Sequence, residues 1–170
     1  GSNGLLMKNN VPFRFTLLVN EENTDRVNVA KVIKELYAEI GIEVTIEAVD
    51  KDTYFNRITS RQFDAFLGGF KLSYATDLSF ALNSNRIGSG ENYVGYNDET
   101  MNELLQKAFL ANETTKAEAF NKFQQYFITQ NPYLSLYFKK SVMMTSSQIK
   151  GNVHPTPLNI FANVEVWTKS

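Results

Sequence analysis

The strongest constraint on the fold lies between Phe13 and Glu47, where the apolar pattern passes from strand to helix and back to strand. Phe13-Arg14-Phe15-Thr16-Leu17-Leu18-Val19 has the aromatic and β-branched content of a strand and stops at the polar cluster Asn20 to Thr24. Val29, Ile33, Leu36 and Ile40 then recur at spacings of three and four, with Lys31, Lys34, Glu35 and Glu39 on other faces. This predicts an amphipathic helix, capped by Thr24 or Asp25 and ended by Gly41 in a left-handed position. Ile42, Val44 and Ile46 alternate with Glu43, Thr45 and Glu47, the period-two pattern of a strand with one buried and one wetted face. A strand-helix-strand unit of this spacing closes with a right-handed crossover, so the two strands pair in parallel.

The unit continues. A shorter helix is predicted from Lys51 to Ser60, burying Tyr54, Phe55 and Ile58. The apolar run Phe63 to Phe70, interrupted by Asp64 and Gly68-Gly69, reads as a third strand covered on both faces. Between Lys71 and Asn97 the periodicity disappears, apart from a helical turn near Asp77 to Leu82. That stretch mixes Tyr74, Tyr93 and Tyr96 with Asn83, Asn85 and Asn92, and an irregular aromatic and amide-rich segment after a buried strand is where α/β proteins place ligand contacts. A long surface loop is the other reading.

Two helices follow. The first starts at Asn97 or Asp98 with Met101, Leu104, Leu105, Ala108 and Phe109 inside; the second runs from Thr114 with Phe120, Phe123 and Phe127 inside, until Asn131-Pro132 stops it. Tyr133 to Phe138 alternates as a strand, with Val142 to Thr145 beside it. The last twenty residues, with Pro155, Pro157 and the lone Trp167, form a tail that packs against something else.

Composition removes whole classes of function. With 17 Lys and Arg against 18 Asp and Glu, the net charge of −1 supplies no field to gather a polyanion, which argues against nucleic acid. The absence of cysteine removes disulfides, thiolate nucleophiles and Cys-based zinc sites. No apolar run reaches the length that spans a bilayer, and residues 1–3 look vector-derived, so a natural targeting segment would lie upstream.

Catalytic sets are equally scarce. His154, the single histidine, lies between Val153 and Pro155 with no acidic cluster near it, and a loop histidine is the plainer reading than a base. A small α/β hydrolase using His154 with Asp or Ser partners would also need a nucleophile elbow, metal motif or phosphate loop, and none is present. The acidic pairs Glu21-Glu22, Asp50-Asp52 and Asp98-Glu99 sit in turns or at helix starts, where they read as caps and solvated faces. Gly68-Gly69 lacks any flanking phosphate-binding pattern. No catalytic residue, metal ligand or cofactor is assigned.

Several strings, in order, resemble one family. They are Asn3-Gly4-Leu5-Leu6 with Phe13 to Leu18, Ala30 to Leu36 running into Ile40-Gly41-Ile42-Glu43-Val44, Phe63-Asp64-Ala65 with Gly69-Phe70, and Asn92-Tyr93-Val94-Gly95-Tyr96. Further on come Leu104 to Ala108, Asn131-Pro132-Tyr133-Leu134-Ser135-Leu136-Tyr137 and Ile149-Lys150-Gly151. In their order and spacing these resemble the C-terminal half of extracellular solute-binding proteins of the oligopeptide and dipeptide type. The resemblance covers nearly the whole chain.

The resemblance implies an α/β fold: a periplasmic-binding-protein-like lobe with a mixed, mostly parallel sheet flanked by helices and a C-terminal returning tail. It further implies a lobe over residues 4–148 and a segment over 149–170 that packs on a missing N-terminal lobe. Such proteins close two lobes on a solute outside the cytoplasm, in the periplasm or as a surface lipoprotein. They hand it to the permease of an ABC importer or, in a sensing role, to a receptor. Relatives that bind peptides carry a tryptophan-x-x-aspartate string whose aspartate meets the ligand's ammonium group. Phe70 and Ser73 occupy those positions here. A phenylalanine still supplies an apolar wall, but a neutral serine cannot replace a buried counter-charge. Asp77 is the nearby substitute. Tyr74, Tyr93 and Tyr96 complete the expected ligand-binding set, with loop packing as their other reading.

Overall fold

The crossover predicted from residues 13–47 forms, and it builds the centre of the first unit of the chain. The computed structural model describes residues 4–71, 77–139, 142–156 and 159–170. The chain divides into two units, the first comprising Gly1–Lys71 and Asp77–Pro132, the second described over Tyr133–Ser170.

The first unit opens with a hairpin, β1 (Met7–Lys8) against β2 (Val11–Pro12). Its two-residue turn is Asn9-Asn10, both at positive φ (53° and 62°), the conformation that matches the twist of paired strands and that asparagine tolerates. Strand β3 (Arg14–Asn20), helix α1 (Thr24–Glu39) and strand β4 (Glu43–Val49) follow, with β3 and β4 parallel from Arg14↔Glu43 to Asn20↔Val49. Helix α2 (Lys51–Thr59) returns the chain to the far side of β3. There β5 (Ala65–Phe66) pairs in parallel through Leu17↔Ala65 and Leu18↔Phe66, giving the order β4-β3-β5. The third strand is therefore shorter than the apolar run 63–70. Asp64 explains part of that: its carboxylate accepts the Thr16 backbone N–H at 2.9 Å, taking the place of a ladder bond.

The alternation of β3 sends its side chains to two cores. Leu17 and Val19 join Ala30, Ile42, Val44 and Leu67 beneath α1, while Leu18 joins Tyr54 and Ile58 beneath α2. A central strand buried on both faces reads as a continuous apolar run, as Leu17-Leu18-Val19 does. Each Val, Leu or Ile so buried contributes about 1.5–3 kcal/mol.

Helix α1 is rotated from the expected orientation. Ala30, Ile33 and Tyr37 face the sheet, and Tyr37 meets Phe15 edge-on with centroids 5.6 Å apart, whereas Leu36 and Ile40 are exposed. Asn23, not Thr24 or Asp25, caps the helix by accepting the Arg26 N–H at 3.1 Å. In α2, Tyr54 and Ile58 are buried as expected but Phe55 is exposed, its ring edge-on to Tyr54.

A short helix α3 (Ser79–Leu82) and a single 3-10 turn (Ser84–Arg86) lie in the irregular region. Helix α4 (Glu99–Leu110) is capped by Asp98, which accepts the Met101 N–H at 2.7 Å, and packs on α5 (Lys116–Gln130). Met101, Leu105, Ala108 and Phe123 are buried, while Phe109 points outward. Asn131 ends α5 in the left-handed conformation, φ 47°.

In the second unit, β6 (Ile149–Lys150) pairs antiparallel with β7 (Thr168–Lys169). The strands expected at 133–138 and 142–145 are not formed among the described residues. Alternation supplies two faces but not a ladder partner, and here Leu134, Phe138, Val142 and Met144 are exposed, Val142 to 87%. The three-stranded sheet is wholly parallel, and the antiparallel pairs form separate two-stranded ribbons.

Candidate ligand-binding site

Open parallel sheets bind ligands outside the carboxyl ends of their strands, where loops converge and helix N-termini point inward. Here that edge is formed by Asn20, Val49 and the segment Leu67–Gly69. Tyr54 is 2% exposed and donates its hydroxyl to the Leu67 carbonyl at 2.8 Å, which fixes the glycine pair after β5. Burial pushes the Tyr54 phenol pKa up, while the Arg26 charge opposes that shift. Arg26 reaches the same place from the first turn of α1. Its Nη1 donates to Asn20 Oδ1 at 2.7 Å and its guanidinium lies over the Tyr54 ring, 5.8 Å from the centroid.

Two carboxylates at this edge are spent on the start of α2. Asp50 Oδ1 accepts the Asp52 and Thr53 N–H groups at 3.0 Å each, and Glu22 Oε1 accepts the Lys51 N–H at 2.9 Å. Hydrogen bonding from Thr53 and from the Lys51 backbone, respectively, holds both below the usual carboxylate range. They are caps, as their sequence positions suggest.

The residues expected to bind ligand are distributed as follows. Phe70 is half-buried, its ring edge-on to Phe80 at 5.1 Å. Asp77 Oδ1 accepts the Ser79 N–H at 2.8 Å at the entry to α3. Tyr93 packs edge-on to Phe66 at 6.2 Å beside the α2-side core, and burial raises its pKa. Among the described residues the enclosed Tyr96 hydroxyl has no hydrogen-bond partner, and burial, then the neighbouring Asp98, push its pKa up to about 12. Ser73 and Tyr74 lie outside the described residues.

Asn92 organises this stretch. At 1% exposure its Nδ2 donates to the Asn83 and Tyr96 carbonyls (3.0 and 2.8 Å) and its Oδ1 accepts the Tyr96 N–H at 2.9 Å. Ser84 and Asn102 join the loop to α4 by two reciprocal bonds. The Asn83 and Asn92 side chains are thus engaged in holding the loop.

Arg26 and Asn20 were not singled out by sequence. Their signal was positional: a polar residue at the carboxyl end of the central strand and a cation one turn into the following helix. An open hollow of about 250 Å³ between α4 and α5, lined by Leu104, Lys107, Thr115 and Lys122 among others, shares no residue with this edge. His154 is exposed, and among the described residues no cluster of His, Cys, Asp or Glu is placed to hold a metal.

A parallel sheet flanked by helices, with a polar carboxyl edge, is the architecture of the periplasmic-binding-protein fold. The chain belongs to the bacterial extracellular solute-binding proteins, family 5, whose middle region matches residues 1–92. It is 27% identical over 167 residues to the oligopeptide-binding protein AppA of Bacillus subtilis (strain 168), covering 96% of this chain and 31% of that protein. The structure of that AppA in complex with a nonapeptide superposes with a TM-score of 0.77 at 27% identity, over 99% of this chain and 34% of the other. NikZ from Campylobacter jejuni, solved with Ni(L-His), shares the fold at 18% identity and a TM-score of 0.70, covering 99% of this chain and 36% of NikZ. The chain thus spans about a third of the length of these relatives.

Proposed function

We propose that this chain is one lobe of a solute-binding protein that captures a peptide outside the cytoplasm and delivers it to the permease of an ABC importer. The observation that carries the reading is the similarity to oligopeptide-binding AppA along 96% of the chain. The lobe binds and does no chemistry: the residues at its sheet edge serve as donors, acceptors and aromatic walls. Its ligand face is the carboxyl edge of the sheet with Phe70, Ser73, Tyr74, Asp77, Tyr93 and Tyr96 as contacts, and a second lobe supplies the opposite wall. We read residues 4–148 as the lobe proper and 149–170 as the returning segment that packs on the second lobe; exposed Ile160, Phe161, Val164 and Val166 support a partner surface on that segment.

Native mass spectrometry of the natural full-length protein, purified without denaturation, tests this. Masses of bound peptides are expected; a bound metal chelate or sugar in their place overturns the peptide reading. Ser73→Asp is expected to raise affinity for peptides with a free N-terminus about tenfold, since a charged pair then replaces an uncompensated ammonium group.

A further inference from the structure

We infer that Arg26 is the anion-recognition group of this face, and that the ligand it receives carries a carboxylate. The inference rests on the reading of the chain as a peptide-binding lobe and narrows which peptide chemistry the sheet edge selects.

Arginine carries five N–H donors in a planar fork and does not lose its charge in proteins. In Arg26 the Nη1 group gives one bond to Asn20 Oδ1, and the ring of Tyr54 supports the guanidinium plane. Both contacts fix its orientation, and neither neutralises it. Arg57 on α2, comparably sheltered, is paired with Glu47, and Arg14 on β3 with Glu43 at 3.7 Å. Among the described residues no carboxylate forms an ion pair with Arg26.

Two carboxylates of the same sheet edge are already committed. Glu22 hydrogen-bonds to the Asn20 side chain and to the Lys51 N–H, and Asp50 caps α2. A part-buried cation with spare donors and no counter-charge is costly to maintain for stability alone. Placed at the carboxyl edge of a parallel sheet, it is a preorganised partner for a carboxylate, which a guanidinium binds through two parallel bonds. Gly69 keeps the approach open. A β-carbon there would stand 3.4 Å from Arg26 Nη2, so any longer side chain would lie against the fork.

The test is calorimetry on the natural full-length protein with three nonapeptide pools. The first lacks Asp and Glu and has a free C-terminus; the second is the same pool amidated; the third is amidated and carries one Glu. At least one carboxylate-bearing pool is expected to bind about tenfold to hundredfold more tightly than the second, as for a charge-assisted hydrogen-bonded pair. Arg26→Gln is expected to remove that preference, and Arg26→Lys to retain part of it. Equal binding of all three pools, or a preference that survives Arg26→Gln, overturns the assignment and leaves the peptide reading intact.

Should no pool bind, the peptide reading fails and Arg26 is judged separately. Side-chain 15Nε NMR with N-acetylglycine as probe is then expected to show a saturable shift of the Arg26 signal that N-acetylglycinamide does not produce. Absence of that shift overturns the inference.

Discussion

Replacing Gly41 by alanine tests how the N-terminal segment is held to the sheet. Gly41 sits at φ +78°, and a β-carbon on it would lie 2.5 Å from the Gly4 carbonyl oxygen and 2.8 Å from the Leu6 nitrogen. Both neighbours are backbone, so the segment itself must move, and with it goes the bond from Leu6 N–H to the Gly41 carbonyl at 2.7 Å. Gly88 provides the control, with φ +81° and nothing within 4 Å of where a β-carbon would stand. Left-handed alanine costs about 1–2 kcal/mol at either site, offset by about 0.4–1 kcal/mol from the stiffer unfolded chain. Gly88→Ala should therefore lose about 1 kcal/mol. Gly41→Ala should lose about 3 kcal/mol, because the displaced segment forfeits at least one backbone hydrogen bond, about 1 kcal/mol, and its packing. The assay is urea and thermal denaturation of the two variants, where a difference of about 2 kcal/mol corresponds to a Tm gap of about 4–8 °C. If the two midpoints coincide, the close approach of residues 4–6 to Gly41 contributes nothing and the reasoning is refuted.

Three further outcomes follow from the same geometry. Tyr54→Phe should destabilise by about 1–2 kcal/mol in urea titration, because it leaves the Leu67 carbonyl without its buried donor; no change would mean that another donor replaces it. Tyr96→Phe should be neutral or slightly stabilising, since among the described residues the hydroxyl has no partner to lose. In the parent chain, absorbance titration at alkaline pH should reveal a tyrosine ionising near 12; its raised pKa contributes stability that is complete below pH 10 and disappears as the pH climbs through 12. Asp50 and Glu22 have lowered pKa values, so the stability they give is present above their ordinary values of 3.8 and 4.5 and is lost as the pH falls below them. Asp50→Asn, with Glu22→Gln, should flatten the acid limb of a stability-versus-pH curve, and an unchanged limb would remove these caps from the account.

Much of the first unit was legible because its signals are local. A capping carboxylate such as Asp50 or Asp98, a left-handed glycine at 41 or the alternation of Ile42, Val44 and Ile46 is satisfied within a few residues, so the sequence position carries the physics. Helix α1 shows where this stops. It carries Val27, Val29, Ala30, Val32, Ile33, Leu36 and Tyr37, with Ile40 at its end, and is apolar over most of its circumference, so several stripes satisfy the helical period. The register of β3 against β4 chose Ala30, Ile33 and Tyr37 and left Leu36 and Ile40 in solvent.

The site divides in the same way. From the sequence alone came the element order, the parallel crossover and a segment rich in tyrosine and asparagine after the third strand. Tertiary structure decided what those groups do: Asn92 turns inward to hold its own loop, Tyr93 packs on Phe66, and Arg26, unremarkable in an amphipathic helix, arrives beside Asn20 and Tyr54 at the carboxyl edge of the sheet. The physical reason is range. Caps, turns and periodicity act across three or four residues of chain, whereas the surroundings of Arg26 are set by Asn20 of β3 and Tyr54 of α2, which only the folded sheet brings to it.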